Sequence, residues 1–296
     1  YCIFNFKIIG IDVLHTLNFY NCKSMKNFQL TPHLEFDGIG AASGLVYHNE
    51  QLYIISDSSN YLHHFDTVTA DVNKIVFFEK AEDNMSKDKK PDFECVTLEG
   101  DTLYLFGSGS TENRNLGMQL SLVSKKAVGV DFSDFYNTFK KAFSIPDTDF
   151  NIEGVCFGYD YHYFFQRGNG SNNYNGVFII QNIPFEENPS LEFIRYDFPK
   201  ISNVAPTFTD AIMIDDKIYF LAAAEDTNST YDDGKVLGSI IGCINTKTMN
   251  VEFTILISEK HKFEGLTLYE ITDDGMEFLL CEDNDSDVLE TIIYRL

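Results

Sequence analysis

The sequence predicts an all-β fold: a single β-propeller, with five four-stranded blades. Three observations carry this. Short apolar runs rich in Val, Ile, Tyr and Phe recur between turn residues, about four runs to a unit. An acid leads the first run of most units. Taking Ser43, Glu94, Glu153, Asp210 and Glu264 as equivalent gives spacings of 51, 59, 57 and 54 residues. A period of about 50 residues with four strands per period marks a propeller blade, and a β-sandwich gives no reason for a repeating acidic leader. Six blades is the alternative, if the helical insert described below hides strands.

In chain order, residues 1–24 show no repeat character and begin with Tyr1 rather than Met. They lack the basic leader and small-residue cleavage site of a signal peptide. They are expected to be a non-structural N-terminal extension, with 25–296 as the single propeller domain and Met25 as a natural start. A start there predicts a cytoplasmic protein; the cell envelope is the alternative. Residues 28–36 read as a strand with no partner beside it. The first unit is 43–47, 52–55, 61–65 and 74–78. A charged linker, 81–90, follows, and its Lys-rich end is expected to be solvated. The second unit is 93–98, 102–106 and 118–123, with a small polar loop at 107–110. Residues 132–143 carry a helical period, with Phe132, Phe135, Tyr136, Phe139 and Phe143 on one face, a packing stripe. The third unit is 152–157, 161–165, 177–180 and 191–196. The fourth is 208–214, 217–222, 239–244 and 251–257, with a long loop at 223–234. The fifth has only three strands, 263–268, 276–280 and 289–294. The spare strand 28–36 would supply its outermost fourth, closing the ring and removing an open edge.

Composition narrows the function. A chain that is 44% hydrophobic and 15% aromatic is globular rather than disordered. A net charge of −23 argues against a nucleic-acid groove, which needs clustered Lys and Arg, and suits an acidic surface or a cation site. No apolar run reaches the ~20 residues of a membrane span. The six cysteines form no CxxC pair, and Cys95, Cys156, Cys243 and Cys281 sit in apolar runs as small buried groups. A monomer is expected.

The first strand of each blade lines the central channel of a propeller. Glu94, Glu153, Asp210 and Glu264 would therefore converge, each followed by a small residue (Cys95, Gly154, Ala211, Gly265) suited to a crowded axis. Such carboxylates need compensation. A divalent ion with oxygen ligands, Ca²⁺ first, is one answer. Backbone N–H groups of the neighbouring blade are the other, in which case the acids only staple the ring. The loops after the second strands gather on one face. There Asp57, Ser108, Ser110 and Asn169 are candidate substrate contacts. Arg114 and Arg167 are candidate clamps for a small anionic molecule, and Glu225 or Asp226 a candidate general base. There is no GxSxG elbow and no P-loop.

The same residues resemble an uncharacterised bacterial β-propeller family, a domain of unknown function. The resemblance rests on K-P-D-F-E-C at 90–95, G-S-G-S at 107–110, N-I-E-G at 151–154 and Q-R-G-N at 166–169. It continues with F-T-D at 208–210, A-A-A-E-D-T at 222–227, Y-D-D-G at 231–234 and E-G-L at 264–266. It covers residue 40 to the C-terminus, with Cys95 in place of the usual small residue. More distantly the chain is similar to phytase-related esterase-like and lactonase-type propellers. That likeness implies channel carboxylates holding Ca²⁺ or another divalent ion, but it carries over no catalytic set. The leading expectation is a divalent-metal-dependent hydrolase of an ester, lactone or phosphoester, with its site at the channel. The alternatives are a non-catalytic ligand- or protein-binding propeller and a purely structural one.

Overall fold

The computed structural model describes residues 7–8, 13–15, 28–181, 190–227, 229–230, 234–273, 275–283 and 289–296. Five sheets form a five-bladed β-propeller. From the axis outward, blade one is Ala42–His48, Gln51–Ser56, Tyr61–Asp66 and Val72–Val76. Blade two is Phe93–Glu99, Thr102–Gly107, Leu116–Ser121 and Ala127–Asp131. Blade three is Ile152–Phe157, Tyr161–Gln166, Gly176–Gln181 and Ser190–Tyr196. Blade four is Thr207–Ile214, Lys217–Asp226, Lys235–Asn245 and Val251–Ser258. Blade five is Phe263–Thr272, Gly275–Glu282 and Glu290–Arg295, completed by Thr31–Asp37 from the start of the chain.

The predicted closure therefore holds, and five blades rather than six complete the ring. Glu290 faces Asp37 and Arg295 faces Thr31 in antiparallel register, so the two ends of the chain share one sheet. Within 1–24, the strands Lys7–Ile8 and Val13–His15 run parallel to Ser190–Tyr196 on the outside of blade three. The remainder of that stretch, including Cys2 and Cys22, lies outside the described residues. The long loop expected over 223–234 is shorter than its composition suggested. Ala222, Ala223 and Ala224 continue the strand as buried residues paired with Ile240, Ser239 and Gly238, because small side chains fit between stacked blades.

Apolar faces of successive blades supply the core. Phe165 and Val177 of blade three meet Phe208 and Phe220 of blade four in one cluster. Cys95 and Phe106 of blade two meet Val155, Phe164 and Phe178 of blade three in another. The helix Ser133–Phe143 caps that second seam: Tyr136 and Phe139 are fully buried, and the Tyr136 hydroxyl donates to the Gly107 carbonyl at 2.8 Å. The strand Ala127–Asp131 just before it completes blade two, a run whose exposed Val128 and Gly129 give no apolar alternation to read. Cys95, Cys156, Cys243 and Cys281 are buried free thiols. At the axis the blades approach closely: a Cβ on Gly265 would lie 2.6 Å from Leu45 and 2.9 Å from the Gly44 Cα of blade one. No helix among the described residues is long and apolar enough to cross a membrane.

Candidate site at the channel mouth

One local device places the site. In every blade the ladder between the first two strands skips one residue near the start of the inner strand. The skipped residues are Ser43, Glu94, Glu153, Thr209 and Glu264. A bulge leaves its extra residue unpaired and re-aims the side chain, so these five converge at one end of the channel. Blade four corrects the sequence alignment: its equivalent is Thr209, not Asp210, which evens the spacing to 56 and 55 residues. The two hydroxyl members bind the next blade. Ser43 Oγ donates to the Phe93 carbonyl at 2.5 Å, and Thr209 Oγ1 to the Phe263 carbonyl at 2.7 Å.

Asp210 sits one place further on and is absent from the cavity lining. Its carboxylate accepts the N–H groups of Ala211 and of Leu266 in blade five, each at 2.7 Å. Burial pushes its pKa well up, against those two hydrogen bonds. Asp210 thus joins blade four to blade five, while Glu94, Glu153 and Glu264 line the mouth.

The mouth is a cavity of about 50 Å³ lined by seven carboxylates and five cationic side chains. That is room for a few water molecules or the head of one small ligand. Fixed charges cross the blade boundaries. The Arg167 guanidinium meets Glu153 at 3.1 and 3.2 Å, Glu225 at 2.6 Å and Glu264 at 3.4 Å, spanning blades three, four and five. Lys262 meets Asp283 at 2.9 Å and Glu264 at 3.4 Å. Lys90 bonds to Asp57 of blade one and, at 2.8 Å, to Asp92. Arg114 meets Asp92 at 2.8 Å and Ser110 at 3.0 Å. Glu225 also accepts the Gly234 N–H at 2.6 Å, tying down the end of the loop whose Ser229 and Thr230 flank the cavity.

Glu94 differs from its neighbours: no described residue hydrogen-bonds or ion-pairs with its carboxyl. Burial, then the charges of Asp92, Glu153, Glu264 and Asp57, push its pKa well above the usual carboxylate value. Burial also raises Glu153 and Glu264, against Arg167 and Lys262. It lifts Asp57 to about 6, although Lys90 works the other way. Burial works to lower Lys90, but Asp92, Asp57 and Glu94 outweigh it and hold its pKa well above the usual lysine value. Groups whose environments push protonation states apart are the raw material of acid–base chemistry.

The structure brings together Asp57, Glu94, Arg114, Glu153, Arg167, Asn169, Glu225 and Glu264, all candidates from sequence. It does not bring in Asp226, which is exposed in the strand beyond Glu225. Ser108 and Ser110 stand behind the lining: Ser108 Oγ donates to Asp92 at 2.5 Å, and Ser110 receives Arg114. Neither arginine is a free anion clamp, since both guanidiniums already bind carboxylates. Sequence reasoning missed Lys90, Asp92 and Lys262. Lys90 was expected in a solvated loop, yet it is only 7% exposed. The signal was a lysine directly ahead of an acid-led strand, in K-P-D-F-E at 90–94 and again in K-F-E at 262–264.

Asp57, Asp92 and Glu94 each bring an oxygen within 4.8 Å of the others, a spacing that can hold a metal ion. The surrounding residues do not fit a resident Ca²⁺. Such an ion takes six to eight oxygens, and here Lys90 and Arg114 already occupy two of the three carboxylates.

Fold and site together define a five-bladed β-propeller with a charged pocket at one mouth of its channel. The chain belongs to the family of unknown function DUF6929, whose sequence profile matches residues 38–296. No curated protein matches it. Among solved structures it is similar to the major allergen Mala s 1 of Malassezia sympodialis: TM-score 0.51, 10% identity, 88% of this chain and 95% of that one. Two others are a glutaminyl cyclase of Myxococcus xanthus (0.49, 11%, 90% and 95%) and a putative glycoside hydrolase from Parabacteroides distasonis (0.49, 10%, 88% and 87%). At these identities the likeness concerns the fold and not the chemistry.

Proposed function

We propose that the protein is a hydrolase of a small neutral or cationic ester or lactone, with Glu94 as its proton-transferring carboxyl. The observation that carries this is an acid at the channel mouth with a raised pKa and no hydrogen-bond or ion-pair partner among the described residues, beside carboxylates held by Arg167 and Lys262. A carboxyl with a raised pKa holds a proton that it can donate to the leaving oxygen as the acyl C–O bond breaks, while water adds to the acyl carbon and returns a proton to Glu94. Glu153, fixed by Arg167, then lies on the same cavity to orient water. A phosphoester or other small anion fits less well. The lining carries seven acids against five cations, and both arginines are engaged. A divalent ion is not part of this reading, because Lys90 occupies the oxygens it would need.

The test is turnover of a panel of short-chain esters and γ- and δ-lactones, with and without EDTA, by wild type and Glu94→Gln. The expected result is activity that survives EDTA and falls roughly 10²–10⁴-fold in the variant. Equal rates in both proteins would remove Glu94 from the chemistry. Melting shifts with panel compounds but no turnover would make the mouth a binding site instead.

A further inference from the structure

We propose that Lys90 is a built-in counter-ion occupying what is otherwise a divalent-cation site. The Asp57–Asp92–Glu94 group is thus a latent metal site that binds an ion only once Lys90 is removed. This does not rest on the hydrolase reading, and its test uses no substrate.

The geometry is direct. Asp57 comes from the loop after the second strand of blade one, and Asp92 and Glu94 from the entry to blade two. Their oxygens lie within 4.8 Å of one another, the compactness a cation demands. Lys90 comes from the turn before blade two, and its side chain is 9% exposed. Its ammonium bonds to Asp57 and, at 2.8 Å, to Asp92. A lysine buried this deeply persists only when paired. A divalent ion at the same oxygens would face that ammonium at close range, and Arg114 on the far side of Asp92 adds a second positive charge. Lys90 and Arg114 already offset the charge of Asp57 and Asp92, so little net negative charge remains to hold a doubly charged ion in place of its water. Removing Lys90 leaves that charge uncompensated beside the same compact set of oxygens, and an ion, which also favours the ionised form of Glu94, then becomes the natural compensation. The motif supports the assignment. Lys-Pro-Asp-Phe-Glu at 90–94 delivers the cation and two of the three acids within five residues, and Pro91 stiffens the segment that fixes their spacing.

The experiment is a melting curve and a calorimetric titration with CaCl₂, MgCl₂ and MnCl₂, each after EDTA treatment, on the full chain. Wild type is expected to show no saturable binding and no EDTA-reversible shift. Lys90→Met keeps the aliphatic stem and should melt lower in EDTA. It should regain roughly 5–10 °C at a 100-fold excess of ion over its Kd, with at least ten-fold tighter binding than wild type. Lys90→Gln carries the same test should the methionine variant not fold. Wild type binding the ion as tightly as the variants overturns the proposal, because Lys90 then does not hold the site. A folded variant that binds no ion at 10-fold higher concentration than wild type tolerates overturns it equally, because the acids then form no latent site.

Discussion

Arg167→Met should cost the propeller several kcal/mol at neutral pH and far less near pH 5. The guanidinium is 5% exposed and bridges Glu153, Glu225 and Glu264 from three blades. Methionine roughly fills the stem but strands those carboxylates. Breaking one buried pair by removing a single partner costs about 3–5 kcal/mol. Protonation sets the ceiling. A stranded carboxyl takes up a proton rather than stay charged, and from the ordinary glutamate value of 4.5 that costs about 1.4 kcal/mol per pH unit, or ~3.4 kcal/mol per group at pH 7. At pH 5 the same step costs ~0.7 kcal/mol per group. Burial already raises Glu153 and Glu264 in the intact protein, so part of the penalty is present before mutation. The net expectation is a loss of about 3–5 kcal/mol at pH 7, shrinking to about 1 kcal/mol at pH 5. Urea denaturation at both pH values measures it. A loss of the same size at the two values would refute the account, since it would show that Arg167 acts by packing rather than by charge.

Three further outcomes follow from the same network. Glu94 has a folded pKa raised above its unfolded value, so its stability contribution is full below about pH 4.5 and is lost as pH rises toward the folded value. Glu94→Gln removes that loss, and the variant should gain on wild type by about 1.4 kcal/mol per pH unit above that point, or roughly 3–5 °C in Tm; parallel Tm curves from pH 4.5 to 6.5 would contradict it. Asp210→Asn turns one of the two accepting oxygens into a donor facing one backbone N–H, and should destabilise by about 1–3 kcal/mol. A denaturation midpoint equal to wild type would show that Asp210 does not join the blades. Gly265→Ala places a methyl against Leu45 and Gly44 and should lose about 1–3 kcal/mol, and a crystal structure of the variant should show blades one and five moved apart.

The fold was legible because its signals are local and repeated. Blade seams need apolar strands such as Tyr163–Phe165 and Phe220–Ala222 at every turn of the ring, and the spare strand before residue 40 had only one open edge to complete. Where a signal is not local, the sequence reading slipped. Ala127–Asp131 pairs along the outside of blade two with exposed, irregular residues, so no alternation announces it. The misalignment of blade four has the same origin. A bulge offsets the pairing by one residue without any mark in composition, so composition points to Asp210 as the leader where Thr209 holds that place.

The site was half legible for a sharper reason. Acids were visible as a repeated position, but what they do depends on which cation each meets, and that is settled between blades far apart in sequence. Arg167 reaches Glu264, 97 residues away. Lys90 reaches back 33 residues to Asp57. The sequence offered a metal as the compensating charge because it shows acids gathering and cannot show lysines folding inward. The structure assigns most of that compensation to four side chains of the chain itself and leaves one carboxyl, Glu94, with no hydrogen bond or ion pair among the described residues. A ring of acids satisfied throughout would be a staple. A ring satisfied at all but one member leaves Glu94 on the cavity with no hydrogen-bond or ion-pair partner among the described residues, and on that difference the proposed proton transfer rests.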